Sequence, residues 1–301
     1  MSLPAYAQIG TTELKRRAEE ARRRLEACNL CPHNCRVNRL RGEKGRCRAG
    51  AEAVVSDYGP HFGEEEVLVG ERGSGTIFFA FCNLRCVFCQ NWELSWDGRG
   101  RTVSEEQLAA MMLELQRLGC HNLNLVTPTH FVPSILGALA LARERGLTLP
   151  LVYNCGGYES PDTLRLLEGI VDIYLPDLKY FSEEPAAAYS GAPDYPRRVR
   201  AALKEMHRQV GELKIGPDGL AVRGLLVRHL VLPENLASTA EAMRFIAREL
   251  SPGTFVNLMA QYYPAHKARD YPPLHRRISR EEFHAALDAA REAGLTRAGR
   301  W

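Results

Sequence analysis

The sequence predicts an α/β fold: a partial (β/α)6 TIM-like barrel with a small N-terminal four-cysteine metal-binding segment. Three observations predict it. From Thr76 onwards, six apolar runs of strand length alternate with segments of helical period. The runs are continuously apolar, as in Ile77-Phe78-Phe79, Leu225-Leu226-Val227 and Phe255-Val256, which suits a parallel sheet covered on both faces. Upstream, Cys28, Cys31, Cys35 and Cys47 sit in an Arg-, Asn- and Gly-rich stretch with no apolar surroundings to fill.

At 301 residues and 45% hydrophobic content the chain can bury one large core. Two parts are expected: residues 1–75, a helix, a cysteine-rich segment and a linker, and residues 76–301, the barrel. The net charge of +3 is near balance and implies no nucleic-acid partner. Apolar runs break off well before eighteen residues, so no membrane helix is expected. The opening Met1 to Gly10 lacks a basic region followed by an apolar core, and nine cysteines in a chain of this size suit metal more than disulfides. A reducing, cytoplasmic location follows as an expectation.

In order, Thr11 to Ala27 reads as a helix that Thr12 can cap, with a thin stripe of Leu14, Ala18, Ala21 and Leu25. The four cysteines follow, spaced C-x2-C-x3-C-x11-C, with Gly42 to Gly45 turning the chain back towards Cys47. Four thiols close a site, either structural zinc or an auxiliary iron–sulfur cluster. Ala51 to Gly75 is a linker or small β element. The expected βα pairs are Thr76–Phe81 with Ser104–Leu118, Asn122–Val126 with Val132–Arg145, and Pro150–Asn154 with Ser160–Glu168. Val171–Leu175 with Asp194–Gln209, Leu225–Leu232 with Ala237–Leu250, and Thr254–Met259 with Ser279–Ala293 complete the six. Ser104 and Gln107 form a capping-box pair, and Gly146 ends the second helix.

Directly after the first strand comes Phe81-Cys82-Asn83-Leu84-Arg85-Cys86-Val87-Phe88-Cys89-Gln90-Asn91-Trp92. A closed zinc site wants four ligands, and this loop offers three. Three thiolates can each hold one iron of a [4Fe–4S] cluster and leave the fourth iron open. Three buried structural cysteines would be an odd core among Asn83, Arg85, Gln90 and Asn91.

The C-x3-C-x2-C spacing of Cys82, Cys86 and Cys89, with Phe88 before the last, resembles the radical S-adenosylmethionine (radical SAM) enzymes. The resemblance implies a [4Fe–4S] cluster whose open iron chelates S-adenosylmethionine. The reduced cluster cleaves it to methionine and a 5′-deoxyadenosyl radical, which takes hydrogen from a substrate. Asp177-Leu178-Lys179 and Arg228 to Pro233 resemble the glycyl-radical activating branch, that of pyruvate formate-lyase activating enzyme. Cys28 to Cys47, Gly75 to Phe79 and Thr127 to His130 resemble its uncharacterised homologues. Two features depart from the activases: Thr127-Pro128-Thr129-His130 stands where Gly-Gly-Glu is usual, and a ferredoxin-like insertion is missing. An electron donor such as flavodoxin or ferredoxin is implied as partner.

Catalytic groups in such barrels sit at the C-terminal strand ends. Those ends carry Thr127 to His130, Asn154 to Glu159, Asp177 to Lys179, Arg228-His229 and Gln261 to Pro264. Strand order assigns Thr127, Thr129 and Asn154 to the cosubstrate, through hydroxyl and amide acceptors and donors. Asp177, Lys179 and His229 are the catalytic candidates, for substrate or for the methionine carboxylate. Of the two remaining cysteines, Cys120 reads as core and Cys155 faces the cluster side. The alternative function is a non-catalytic iron–sulfur or zinc barrel for electron transfer or ligand binding.

Overall fold

A computed structural model describes residues 3–299. Helix α1 (Thr11–Arg23) starts from Gly10, whose extended backbone precedes the first turn, so Thr12 is not the cap. It buries Leu14 and Ala21, packs along the helix Val132–Glu144 and stops before Leu25, where the chain turns into the cysteine segment. The 51–75 stretch is more than a linker. Strand β1 (Ala53–His61) runs antiparallel to β2 (Ser74–Phe79), pairing Val55 with Phe79 and His61 with Ser74. Between them the short helix α2 (Glu66–Val69) enters the barrel. Leu68 packs there with Val152, Ile173, Leu175, Leu226 and Phe255 as an inner core.

After β2 come α3 (Trp92–Ser95), β3 (Arg101–Val103), which pairs with β1, and α4 (Glu105–Arg117). Both arms of the Ser104–Gln107 capping box form. Then follow β4 (Leu123–Val126), α5 (Val132–Glu144), β5 (Leu151–Cys155), α6 (Pro161–Leu166), β6 (Ile173–Leu178), α7 (Glu183–Ser190) and α8 (Tyr195–Val210). The chain closes with β7 (Lys214–Ile215), β8 (Ala221–Leu230), α9 (Thr239–Phe245), β9 (Phe255–Met259), α10 (Arg280–Glu292) and β10 (Ala298–Gly299). Gly146 takes φ +90°, the left-handed turn that ends the α5 segment.

The sheet order is β10-β9-β8-β6-β5-β4-β2-β1-β3, parallel from β10 to β2. The six expected strands are therefore neighbours in the expected order. A seventh, β10, adds parallel to β9, and β1 and β3 extend the other edge antiparallel. Two-residue β10 has no apolar run to betray it. Residues 3–75 share the barrel's packing: Leu14, Ala21, Cys47, Ala53 and Val55 belong to the same core as Leu108, Leu136 and Tyr174. Among the described residues, no helix is long and apolar enough to cross a membrane.

Candidate active site

The chain leaves β2 through strained backbone, with φ +68° at Phe81 and +60° at Arg85, and wraps the thiolate loop over the open strand ends. Cys82, Cys86 and Cys89 line one cavity of about 410 Å³. Each sulfur accepts a hydrogen bond: Cys82 from Leu84 N at 3.4 Å, Cys86 from Ser190 Oγ at 2.9 Å, and Cys89 from Ser95 Oγ at 3.1 Å. The loop is also tied by its backbone. Val87 N donates to Tyr189 O and Lys267 N to Val87 O, at 2.8 and 2.9 Å. Phe88 is buried, edge-on to Tyr180 and Tyr262. Burial pushes the bare Cys82 and Cys86 thiols up to about 11 and about 12, so metal must displace their protons on binding.

The same cavity is lined by a buried charge network. Arg228 donates from Nε to Asp177 Oδ1 at 2.8 Å, from Nη1 to Glu64 Oε2 at 3.1 Å and from Nη2 to Asn154 Oδ1 at 2.7 Å. Lys179 Nζ donates to the other Asp177 oxygen at 2.7 Å, and Asn154 Nδ2 to Glu64 Oε1 at 3.4 Å. The four charged side chains are at most 17% exposed. Two carboxylates, Asp177 and Glu64, meet two cations, and buried Glu65, which accepts from Asn257 Nδ2 at 2.8 Å, acts on Arg228 as a third acid. Burial alone would raise Asp177, but Arg228 and Lys179 hold it below the usual carboxylate range. Glu64 stays raised, because burial outweighs Arg228 there. Strand alternation builds the layer: Val152, Ile173, Leu175 and Leu226 fill the barrel floor, and Asn154, Asp177 and Arg228, two residues further along each strand, stand above them.

Residues 76–246 match the family model described as the radical SAM superfamily. This chain belongs to the radical SAM superfamily. Two uncharacterised proteins of Methanocaldococcus jannaschii are similar along most of their length. One is 32% identical over 96% of this chain and 81% of its own, the other 24% identical over 89% and 78%. A radical SAM methyltransferase from Sphaerobacter thermophilus has the same fold, with TM-score 0.52 and 16% identity, across 75% of this chain and 65% of its own.

A radical SAM fold implies a [4Fe–4S] cluster and S-adenosylmethionine, and the donor set at the cavity fits both. Three sulfurs line the cavity together with cations and acceptors, and Lys179 lies within electrostatic reach of Cys86 and Cys89. Among the described residues no three His, Cys, Asp or Glu gather at single-ion spacing. Sulfurs that each bind a different iron need not do so.

The expected radical SAM site residues divide. Thr127, Asn154, Asp177 and Lys179 line the cavity with the sulfurs. Thr127 does so at φ +59°, unusual for a β-branched residue, with its N–H on Asn154 O at 2.8 Å. Thr129 is turned away: Pro128 leads into a 3-10 turn, and its hydroxyl donates to Glu159 Oε1 at 2.7 Å. Glu159 also accepts from Tyr153 OH at 3.1 Å and is pushed up to about 7 by burial. His229 must be corrected. As neighbour of inward Arg228 it points out of the barrel, bonded to Leu178 O at 2.8 Å and Thr239 Oγ1 at 2.9 Å, and burial drives it down to about 4. His130 likewise is buried, with Nε2 against Ala80 O at 2.9 Å. Cys120 is core, and Cys155 borders the cavity while packing with Tyr153 in the layer outside the barrel floor.

Two members of the network were missed. Arg228 stood beside the favoured histidine, and strand parity with Leu226 would have chosen it. Glu64 had no local signal, because its partners come from β5 and β8.

The N-terminal cysteines lie within electrostatic reach of one another: burial first, then the charges of Cys47, Cys28 and Cys35, raise Cys31. Cys35 Sγ accepts from Arg46 N at 3.3 Å, and buried Arg39 reaches Cys28 Sγ at 3.8 Å and His130 O at 2.8 Å. A Cβ at Gly45 would fall 2.8 Å from Cys35 Sγ, so glycine is required there. His33 Nε2 meets Asn83 O at 2.7 Å and joins this segment to the thiolate loop.

Proposed function

We propose that this chain is a radical SAM oxidoreductase of the glycyl-radical activating kind, abstracting hydrogen from a substrate that on this reading is a protein glycine. One observation carries the enzymatic part: the three sulfurs and the buried charge network face the same cavity, whose size suits a nucleoside-sized ligand. The cluster, when bound, supplies one-electron cleavage of the sulfonium. The chain's own residues bind and orient. Lys179 and Arg228 offer cations to a methionine carboxylate, and Glu64, Asp177 and the Thr127 hydroxyl offer acceptors to its ammonium. Because the network offers both cations and carboxylates, each end of a zwitterion meets an opposite charge on entering. The glycyl-radical assignment is supported by the Asp177-Leu178-Lys179 and Arg228 to Pro233 resemblances. A reducing, cytoplasmic setting is part of this reading, because it assigns seven of the nine cysteines to metal.

The test is anaerobic reconstitution with iron and sulfide, then dithionite and S-adenosylmethionine. Formation of 5′-deoxyadenosine carries the reading; a fully loaded cluster without it leaves the non-catalytic barrel. Deuterium passing into 5′-deoxyadenosine from a glycine-labelled glycyl radical enzyme carries the substrate assignment, and no transfer removes it.

Two smaller effects are expected. Asn154→Ala should keep its iron yet bind S-adenosylmethionine about tenfold more weakly, the worth of one lost hydrogen bond in the network. Equilibrium binding checks it, and unaltered affinity removes Asn154 from the cosubstrate. Cys28, Cys31, Cys35 and Cys47 are proposed to hold a second metal, zinc or an auxiliary iron–sulfur cluster. Cys31→Ser in the full chain should then lose that metal and retain the iron of the 82–89 loop, and elemental analysis names the metal by which element drops. Equal metal content in both proteins leaves no second site.

A further inference from the structure

The sulfur of Cys86 is met by a chain of two buried hydroxyls. Ser190 Oγ donates to Cys86 Sγ at 2.9 Å, and Tyr180 OH lies 2.9 Å from the same Ser190 oxygen. Ser190 is 1% and Tyr180 0% exposed, so solvent does not compete for either hydroxyl. The other two sulfurs are served differently. Cys82 accepts from the Leu84 backbone at 3.4 Å, and Cys89 from Ser95, which is half-buried and itself lines the cavity. Neither Ser190 nor Tyr180 is among the cavity-lining residues, so both reach the site only through Cys86.

Local structure explains why Ser190 turns to the sulfur. A serine within a helix can bond back to the carbonyl four residues earlier. At the end of α7 that carbonyl, Ala186 O, already accepts from Ala192 N at 3.2 Å, while Gly191 N closes on Ala187 O at 3.1 Å. Tyr189 O accepts from Val87 N, so the helix end grips the thiolate loop at two successive positions. Tyr180, two residues past β6, is held edge-on to Phe88 and Tyr195, with ring centres 6.2 and 5.6 Å away. A thiolate bound to iron has no proton to give, so the Ser190 proton points to Cys86. Tyr180 must then donate to Ser190 Oγ. The chain therefore has one direction, Tyr180 to Ser190 to Cys86, and the first bond strengthens the second.

We propose that Ser190 and Tyr180 are positioning residues that set the reduction potential of the cluster held by Cys82, Cys86 and Cys89, Ser190 directly and Tyr180 through it. The proposal rests on the cluster assignment above and is independent of the substrate. A donor on a ligand sulfur favours the state with more negative charge, which is the reduced one, so the pair raises the potential. Lys179 also acts on Cys86, but it is offered to the cosubstrate as well and is no clean probe. In the measured couple dithionite gives up one electron and the cluster takes it, with no bond to the chain made or broken.

The test uses the full chain reconstituted with iron and sulfide, and the variants S190A, Y180F and S190A/Y180F. Iron content is measured first, and the reduced fraction is then followed by electron paramagnetic resonance against applied potential. S190A should keep its iron and show, at a fixed potential, a ratio of reduced to oxidised cluster about tenfold lower, a midpoint about 59 mV more negative for one electron. Y180F should lower the ratio about twofold, since it only weakens the Ser190 donor. The double variant should match S190A, because Tyr180 has no route to the sulfur once Ser190 is gone. A merely structural role would lower stability and leave the midpoint in place. A midpoint in S190A equal to that of the unaltered chain overturns the proposal, and a double variant shifted beyond S190A overturns the relay. If S190A loses its iron, Y180F decides, and an unshifted Y180F overturns the proposal. An unaltered chain that takes up a cluster yet forms no 5′-deoxyadenosine removes the radical reading, and the midpoints still decide this one. A chain that takes up no cluster overturns both.

Discussion

Replacing Cys86 by alanine is expected to remove about four irons and four sulfides per chain, with the thiolate-to-iron absorbance that accompanies them. The loss should be total and not partial. Cys86 is buried at the back of the loop, its sulfur accepts from Ser190 Oγ at 2.9 Å, and its carbonyl accepts from Trp96. Among the described residues Ser190, Tyr180 and Phe88 pack around it and carry no thiol, and Cys155, which also borders the cavity, is packed with Tyr153 on another strand end. S-Adenosylmethionine cleavage should fall to background with the iron. The same analysis on Cys120→Ala is the control, because that cysteine is packed in the core near Leu115 and Gly75, away from the cavity, and its removal should leave iron content unchanged. Equal iron and sulfide in Cys86→Ala and the unaltered chain would falsify the assignment of the loop.

The largest effect on stability is expected from Arg228→Met. The guanidinium bonds Asp177, Glu64 and Asn154 at once, and its removal leaves Glu64 buried with only the Asn154 amide and Asp177 with only Lys179. Breaking a buried ion pair by removing one partner costs about 3–5 kcal/mol, so the urea midpoint of the apo chain should fall clearly at about pH 7. The sign of the pH dependence follows from Glu64. Its carboxyl is already raised by burial, and Arg228 is the first of the charges that lower it. Without that cation the folded-state value rises further above the unfolded one. Folding then takes up a proton between the two values, so the variant regains stability relative to the unaltered chain as pH falls through that window. Glu64→Gln combined with Arg228→Met should recover part of the loss, because the neutral amide needs no cation. A midpoint unchanged by Arg228→Met would mean that the network carries no net stability.

Much of this protein was legible in its sequence because the relevant signals are local. The (β/α) alternation comes from apolar runs and capping residues that act within a few positions, such as Ser104 with Gln107, and each strand reappears within a few residues of its expected place. Cys82, Cys86 and Cys89 are close in the chain, so their spacing alone brought them to one loop. Tertiary structure decided what depends on partners distant in sequence. In the sequence Glu64 is one of three consecutive acids in the 51–75 stretch, until α2 carries its neighbours into the barrel floor and sets it against Arg228, 164 residues away. The choice between Arg228 and His229 rested on strand parity, fixed by which of β8's two faces meets the barrel floor and which meets α9. Thr127 and Thr129 were equivalent in composition until the turn at Pro128 left Thr127 lining the cavity and took the Thr129 hydroxyl to Glu159. The sequence by itself determined the fold class, the thiolate loop and the strand ends that face it, since each rests on periodicity or short spacing. Only the tertiary structure decided which polar side chains meet inside the barrel, because a buried charge is tolerated only where the folded chain brings it a partner.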